Sequence, residues 1–197
     1  MAVLLMAAIG GGCGGGGGGG SSRVSGSSSH KGPPPPVPPR GSGNVQPINV
    51  TLGPLGDYPN GVFTTVTLCV PGTSKCQNID NVLVDTGSYG LRILSSALTL
   101  ALPRQTANNG KQVGECAFFV SAFTWGPIEN ADLEMAGEVA GNLPLQVIGT
   151  REFHSPPNDC KSSGAPSADT LASLGANGLL GVGSFVQDCG QACATMG

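Results

Sequence analysis

The sequence predicts an all-β domain behind a low-complexity tail, and three observations carry that expectation. Short runs rich in Val, Ile, Thr and Phe recur along residues 46–197, with Gly and Pro between them. Only the stretch 94–102 offers a plausible helical turn, and Pro103 stops it. Residues that build no core are unevenly spread: 14 of the 33 Gly and 6 of the 16 Pro fall within residues 1–45. The remainder, 46–197, is of ordinary single-domain size.

Taken in order, the first strand is expected over 62–70, where Val, Thr and Phe dominate and Pro71-Gly72 makes the turn. A second run, 79–84, leads into Asp85, so the two form a hairpin with Cys69 and Cys76 facing each other across its loop. Further strands are expected at 117–123, 131–135, 143–148 and 179–182. Short strands at this spacing imply a barrel or a sandwich. The stretch 155–173 is polar and strand-poor, and reads as a long loop tied down through Cys160.

The tail reads as an address and a tether. Residues 1–9 are apolar throughout and are followed by small residues and Cys13. This resembles a bacterial lipoprotein signal, in which the cysteine is lipidated and becomes the new N-terminus; residues 1–13 are assigned to it. Residues 14–45, rich in Gly, Ser and Pro, cannot bury a core and are expected to be a disordered linker. The resemblance implies export and lipid anchoring in the bacterial cell envelope, on the periplasmic or surface side.

Cysteine and charge arithmetic narrow the partners. Setting Cys13 aside leaves six of the seven Cys, an even number suited to disulfides in an oxidising compartment. The favoured pairs are Cys69–Cys76, Cys189–Cys193 and Cys116–Cys160. No metal site is expected, because there is no Cys-x-x-Cys and the two His, His30 and His154, stand alone. The net charge of −3 divides into +3 from Arg23, Lys31 and Arg40 in the tail and −6 beyond it. An acidic domain without a basic cluster speaks against a nucleic-acid partner. No apolar run reaches the roughly 18 residues of a spanning helix.

One motif carries chemistry. Asn81-Val82-Leu83-Val84-Asp85-Thr86-Gly87-Ser88 places a carboxylate directly after an apolar strand, where neighbours can set its pKa. This segment resembles the Asp-Thr-Gly-Ser signature of the pepsin-type aspartic proteases, at the end of a strand in their amino-terminal lobe. It is also similar to bacterial lipoproteins that carry the same segment. The likeness extends over about 58–185: the hairpin before Asp85, Ala131-Asp-Leu-Glu-Met-Ala-Gly137 after the family's flap, and Leu179-Leu180-Gly181, which resembles the element crossing behind the catalytic strand.

The resemblance implies an aspartic-protease-like barrel lobe over 46–197, incomplete as given. Asp85 would be one catalytic carboxylate, Thr86 would brace the partner lobe's equivalent loop, Gly87 would make the bend, and Ser88 would hydrogen-bond Asp85. Phe119 or Trp125 would cover the substrate in place of the family's Tyr, which the flap stretch 118–125 lacks, though neither supplies its phenol; Arg92 stands where the family has Trp. Such chemistry needs two carboxylates sharing a proton, and this chain holds a single Asp-Thr-Gly. A second lobe or a second chain is therefore needed, and the chain alone is expected to be inactive. No cofactor is implied, and the substrate would be a peptide or an unfolded protein. The alternative is a non-catalytic lipoprotein that keeps the scaffold for peptide binding or envelope structure.

Overall fold

The computed structural model describes residues 43–184. The lipidation candidate Cys13, the linker up to Ser42, and the Cys189–Cys193 pair lie outside the described residues. Within them the chain is all-β. The strands are β1 (Asn49–Thr51), β2 (Gly61–Cys69), β3 (Cys76–Asp85), β4 (Tyr89–Leu94), β5 (Gly114–Phe118), β6 (Phe123–Met135), β7 (Glu138–Ile148) and β8 (Gly178–Val182). Two four-residue helices, α1 (Asn158–Lys161) and α2 (Leu171–Leu174), interrupt the segment between β7 and β8.

Six strands close into a barrel in the order β2-β3-β8-β4-β7-β6, and β6 returns to pair with β2. The interior is filled from every stave: Val66 and Leu68, Ile79 and Val82, Leu180, Leu91 and Ile93, Leu145 and Val147, Ala131 and Leu133. Alternate positions on the same strands face outwards. Phe63, Leu83, Leu179, Leu94 and Ile148 form a second buried cluster there, roofed by Ala122, Ala168, Leu174 and Ala176 from the connecting segments. Burial on both faces explains why β8, and β4 apart from Arg92, do not alternate between apolar and polar residues.

The expected hairpin is present: β2 and β3 pair antiparallel, Cys69 stands opposite Cys76, and the two are disulfide-bonded. A bulge interrupts the register after Thr64, and Asn81 takes up a φ of 55°. The Cys116–Cys160 disulfide is also formed. Three expectations need correction. The stretch 94–102 is not helical: Leu94 ends β4, and a turn follows, because Leu94 is wanted in the outer cluster. The strand expected over 117–123 ends at Phe118, and the chain reverses through 119–122 before β6 begins. The segment 155–173 is not wholly irregular, since α1 and α2 lie at or within its limits.

The connection from β3 to β4 is what positions the candidate site. These strands are joined by the short 86–88 turn, yet they do not pair with each other. Strand β8 runs between them, parallel to β3 and antiparallel to β4, with Gly181 in register with both Asp85 and Gly90. Glycine is required for that insertion. A Cβ at Gly181 would strike the Tyr89 backbone, and one at Gly178 would strike the carbonyl oxygen of Arg92. Among the described residues no helix is long and apolar enough to cross a membrane.

Candidate site around Asp85

Asp85 ends β3 and is buried, facing outwards from the barrel on the side of Leu83 and Phe63. Its Oδ1 accepts a hydrogen bond from the Gly87 amide at 2.9 Å. A backbone N–H supports the carboxyl group without bringing an opposite charge to it. Thr86 and Gly87 are exposed at the tip of the turn. Ser88 does not fill the role expected of it: its Oγ is buried without a hydrogen-bond partner among the described residues. Its carbonyl oxygen instead accepts from the Gly183 amide at 2.7 Å, which ties the turn to the end of β8.

A tyrosine that the sequence pattern did not single out packs on the same outward face of the barrel. Tyr58 lies in the loop before β2, packs edge-on against Phe63 with ring centroids 5.8 Å apart, and joins the outer cluster. Its phenol pKa is raised, first by burial and second by the negative charge of Asp85. Three glycines hold the ring. A Cβ at Gly61 or Gly175 would come to 2.8 Å from it, and one at Gly53 would sit 3.1 Å from the Tyr58 Cβ. The glycine-dense stretch flanking Tyr58 is the signal that could have drawn attention to it.

Next to this pair lies a buried polar network that the sequence hinted at only by a charge inside the apolar run Leu91-Arg92-Ile93-Leu94. The Arg92 guanidinium meets the Glu115 carboxylate at 2.9 Å, with both side chains almost fully buried. It also donates to the Tyr89 carbonyl at 2.7 Å. Gln146, in register with Arg92 on β7, donates to the Glu115 carbonyl, and Thr124 donates to Gln146. A buried ion pair costs less when its remaining polar groups find partners, and this chain of bonds supplies several of them. Its effect is to fasten the β5–β6 hairpin onto β4 and β7.

The two candidate covering residues part company. Phe119, at the hairpin's turn, lies 5.6 Å from the Arg92 guanidinium and contributes to the outer cluster that includes Tyr58. Trp125 points elsewhere. It joins Cys116, Phe123 and Cys160 in a separate cluster and packs on Phe153 at 5.4 Å. The structure thus gathers Asp85, Tyr58, Arg92 and Phe119 about one outer cluster and leaves Trp125 at the disulfide. Cys69, Cys76 and Glu134 approach one another, but the two cysteines are bonded to each other and so do not offer thiolate ligands.

Residues 41–197 match the sequence profile of a family described as "Protein of unknown function (DUF3443)". No curated protein matches the chain.

Proposed function

The chain belongs to the DUF3443 family, and we propose that it is an envelope-anchored, aspartic-peptidase-like protein that supplies one half of a two-carboxylate site. The observation that carries this reading is the setting of Asp85. It is a buried carboxylate at a strand end, bound by the Gly87 amide, on an exposed turn whose flanking strands are held apart by β8. A barrel has no structural need for an acid there. The placement of Leu179-Leu180-Gly181 beside the Asp85 strand supports the same reading.

In this proposal an extended peptide or unfolded segment lies across the turn. One carboxylate acts as base on a water while the other, protonated, donates to the scissile carbonyl oxygen. Asp85 is one of the two, and the second comes from another lobe or another chain. Tyr58, packed on Phe63 in the outer cluster, would offer a phenol on Asp85's face of the barrel, a part that the hairpin stretch 118–125 does not provide. A lipid on Cys13 would hold the assembly at the membrane.

A second reading is favoured by the fastening of the β5–β6 hairpin. A hairpin held by Cys116–Cys160 and by Arg92–Glu115 is poorly suited to opening and closing at each turnover. It suits a surface that binds peptides without cutting them. The test is cleavage of an unfolded protein at acid pH by the protein as the cell makes it, alongside Asp85→Ala. We expect the variant to keep its fold and both described disulfides and to lose cleavage. Cleavage that persists in Asp85→Ala overturns the peptidase reading, and peptide binding without cleavage by the unaltered protein selects the second.

A further inference from the structure

The far end of the barrel carries a cavity of about 400 Å³ that the Asp85 site does not use. Gly90 near the start of β4 is level with Asp85, whereas Ser95 in the cavity wall follows the end of that strand. At the rise of a strand this separates the two by roughly 16 Å. The wall is built by β6, by the segment 149–152 after β7, and by Arg104, whose backbone pairs with that of Glu129.

Its polar groups are of both signs, and three lack partners among the described residues. The Glu129 carboxylate is partly buried, with no hydrogen bond or ion pair. Thr150 Oγ1 is buried and unpartnered. Arg151 is exposed and makes no ion pair. The other two charges satisfy each other, Arg104 meeting Glu152 at 2.6 Å. Burial and the nearby Glu152 charge both raise the Glu129 pKa, against the opposing pull of Arg104. The cavity thus has one under-compensated anion, one unclaimed cation and one idle hydroxyl.

We propose that this cavity binds a zwitterionic α-amino compound, a free amino acid or a dipeptide. The ammonium group lies against Glu129, and the carboxylate meets Arg151. A purely anionic ligand would face two carboxylates, and a purely cationic one would leave Arg151 idle. A zwitterion satisfies both ends at once. The volume suits a ligand of this size. The inference is independent of the role of Asp85.

The probe is L-alanyl-L-alanine, titrated into the isotope-labelled full chain while the amide resonances of Ser95, Gly149, Thr150 and Arg151 are followed. We expect saturable shifts at those amides with a dissociation constant of about 1 mM. Acetylating the probe's amino end or amidating its carboxyl end should each weaken binding about tenfold. Glu129→Gln should abolish the penalty for acetylation only, and Arg151→Gln the penalty for amidation only. Arg151 is exposed, so that variant tests the site even if Glu129→Gln disturbs the barrel mouth. No saturable shift up to about 10 mM, or equal affinity for the capped probes, overturns the proposal.

Discussion

The β2–β3 hairpin closes on itself, whereas the β5–β6 hairpin closes on the rest of the protein. In the first, Cys69 and Cys76 are register partners only 7 residues apart. The Val70 amide bonds to the Lys75 carbonyl across the turn, and Thr67 pairs with Asn78 and Thr65 with Asp80 through their side chains. In the second, Cys116 reaches Cys160, 44 residues onward. Phe123 bonds through its backbone to Pro166 and Ala168, and Glu115 is held by Arg92. A hairpin of the first kind can form from its own sequence. The second is defined by where the barrel and the 155–170 segment have already put its partners.

Taking the ties away one at a time separates the two hairpins experimentally. Replacing Cys116 and Cys160 by Ser removes a long loop closure, and chain entropy puts the loss near 4 kcal/mol. Replacing Cys69 and Cys76 by Ser removes a short one, for a loss near 2.5 kcal/mol. Urea unfolding of the two double variants measures both, and equal losses would erase the distinction between local and long-range closure. The smallest effect is expected at Asp132, whose carboxylate accepts from the Gly72 amide in the first hairpin's turn and from the Asn142 amide in β7. Those two hydrogen bonds hold its pKa below the ordinary 3.8. A lowered folded-state pKa gives stability that is complete above the ordinary value and lost as pH falls through the folded one. Unfolding of Asp132→Ala should therefore differ from the unaltered protein at neutral pH, and the difference should shrink below about pH 4. A difference that grows on acidification would contradict this.

The same contrast explains what could be read from the residues. The first hairpin was legible because Pro71-Gly72, the Val and Thr runs and the two Cys lie within one short stretch. The second was misplaced because Phe118-Phe119-Val120 continues the apolar run through the reversal, and no Gly or Pro marks it. That turn is dictated by the Phe119-to-Ala122 bond and by residues more than forty positions away. Leu94 misled for a related reason: its alanine- and leucine-rich sequel has helical propensity, but the outer cluster claims it as strand. At the candidate site, Asp85-Thr86-Gly87-Ser88 is contiguous and so visible. Tyr58 reaches the outer cluster, and Glu115 reaches Arg92, only through tertiary packing, and sequence distance hid them. The unpartnered hydroxyl of Ser88 shows that even a contiguous motif does not fix which atom bonds to which.

The insertion of β8 between β3 and β4 also constrains the order in which the molecule can be made. Residues 82–85 wait for 178–181 before their outer edge is covered, and β4 waits for the same strand from the other side. Until those residues have arrived, the nascent chain has the two halves of a barrel wall with a slot between them. Local pairing cannot fill the slot, and both of its open edges are lined with apolar side chains. Closure is thus a late, long-range event, of the kind that makes folding slow and leaves a window for chaperone capture or edge-to-edge association. The strand that completes the wall beside Asp85 is also the last described strand, so the acid acquires its setting only once residues 178–182 have docked.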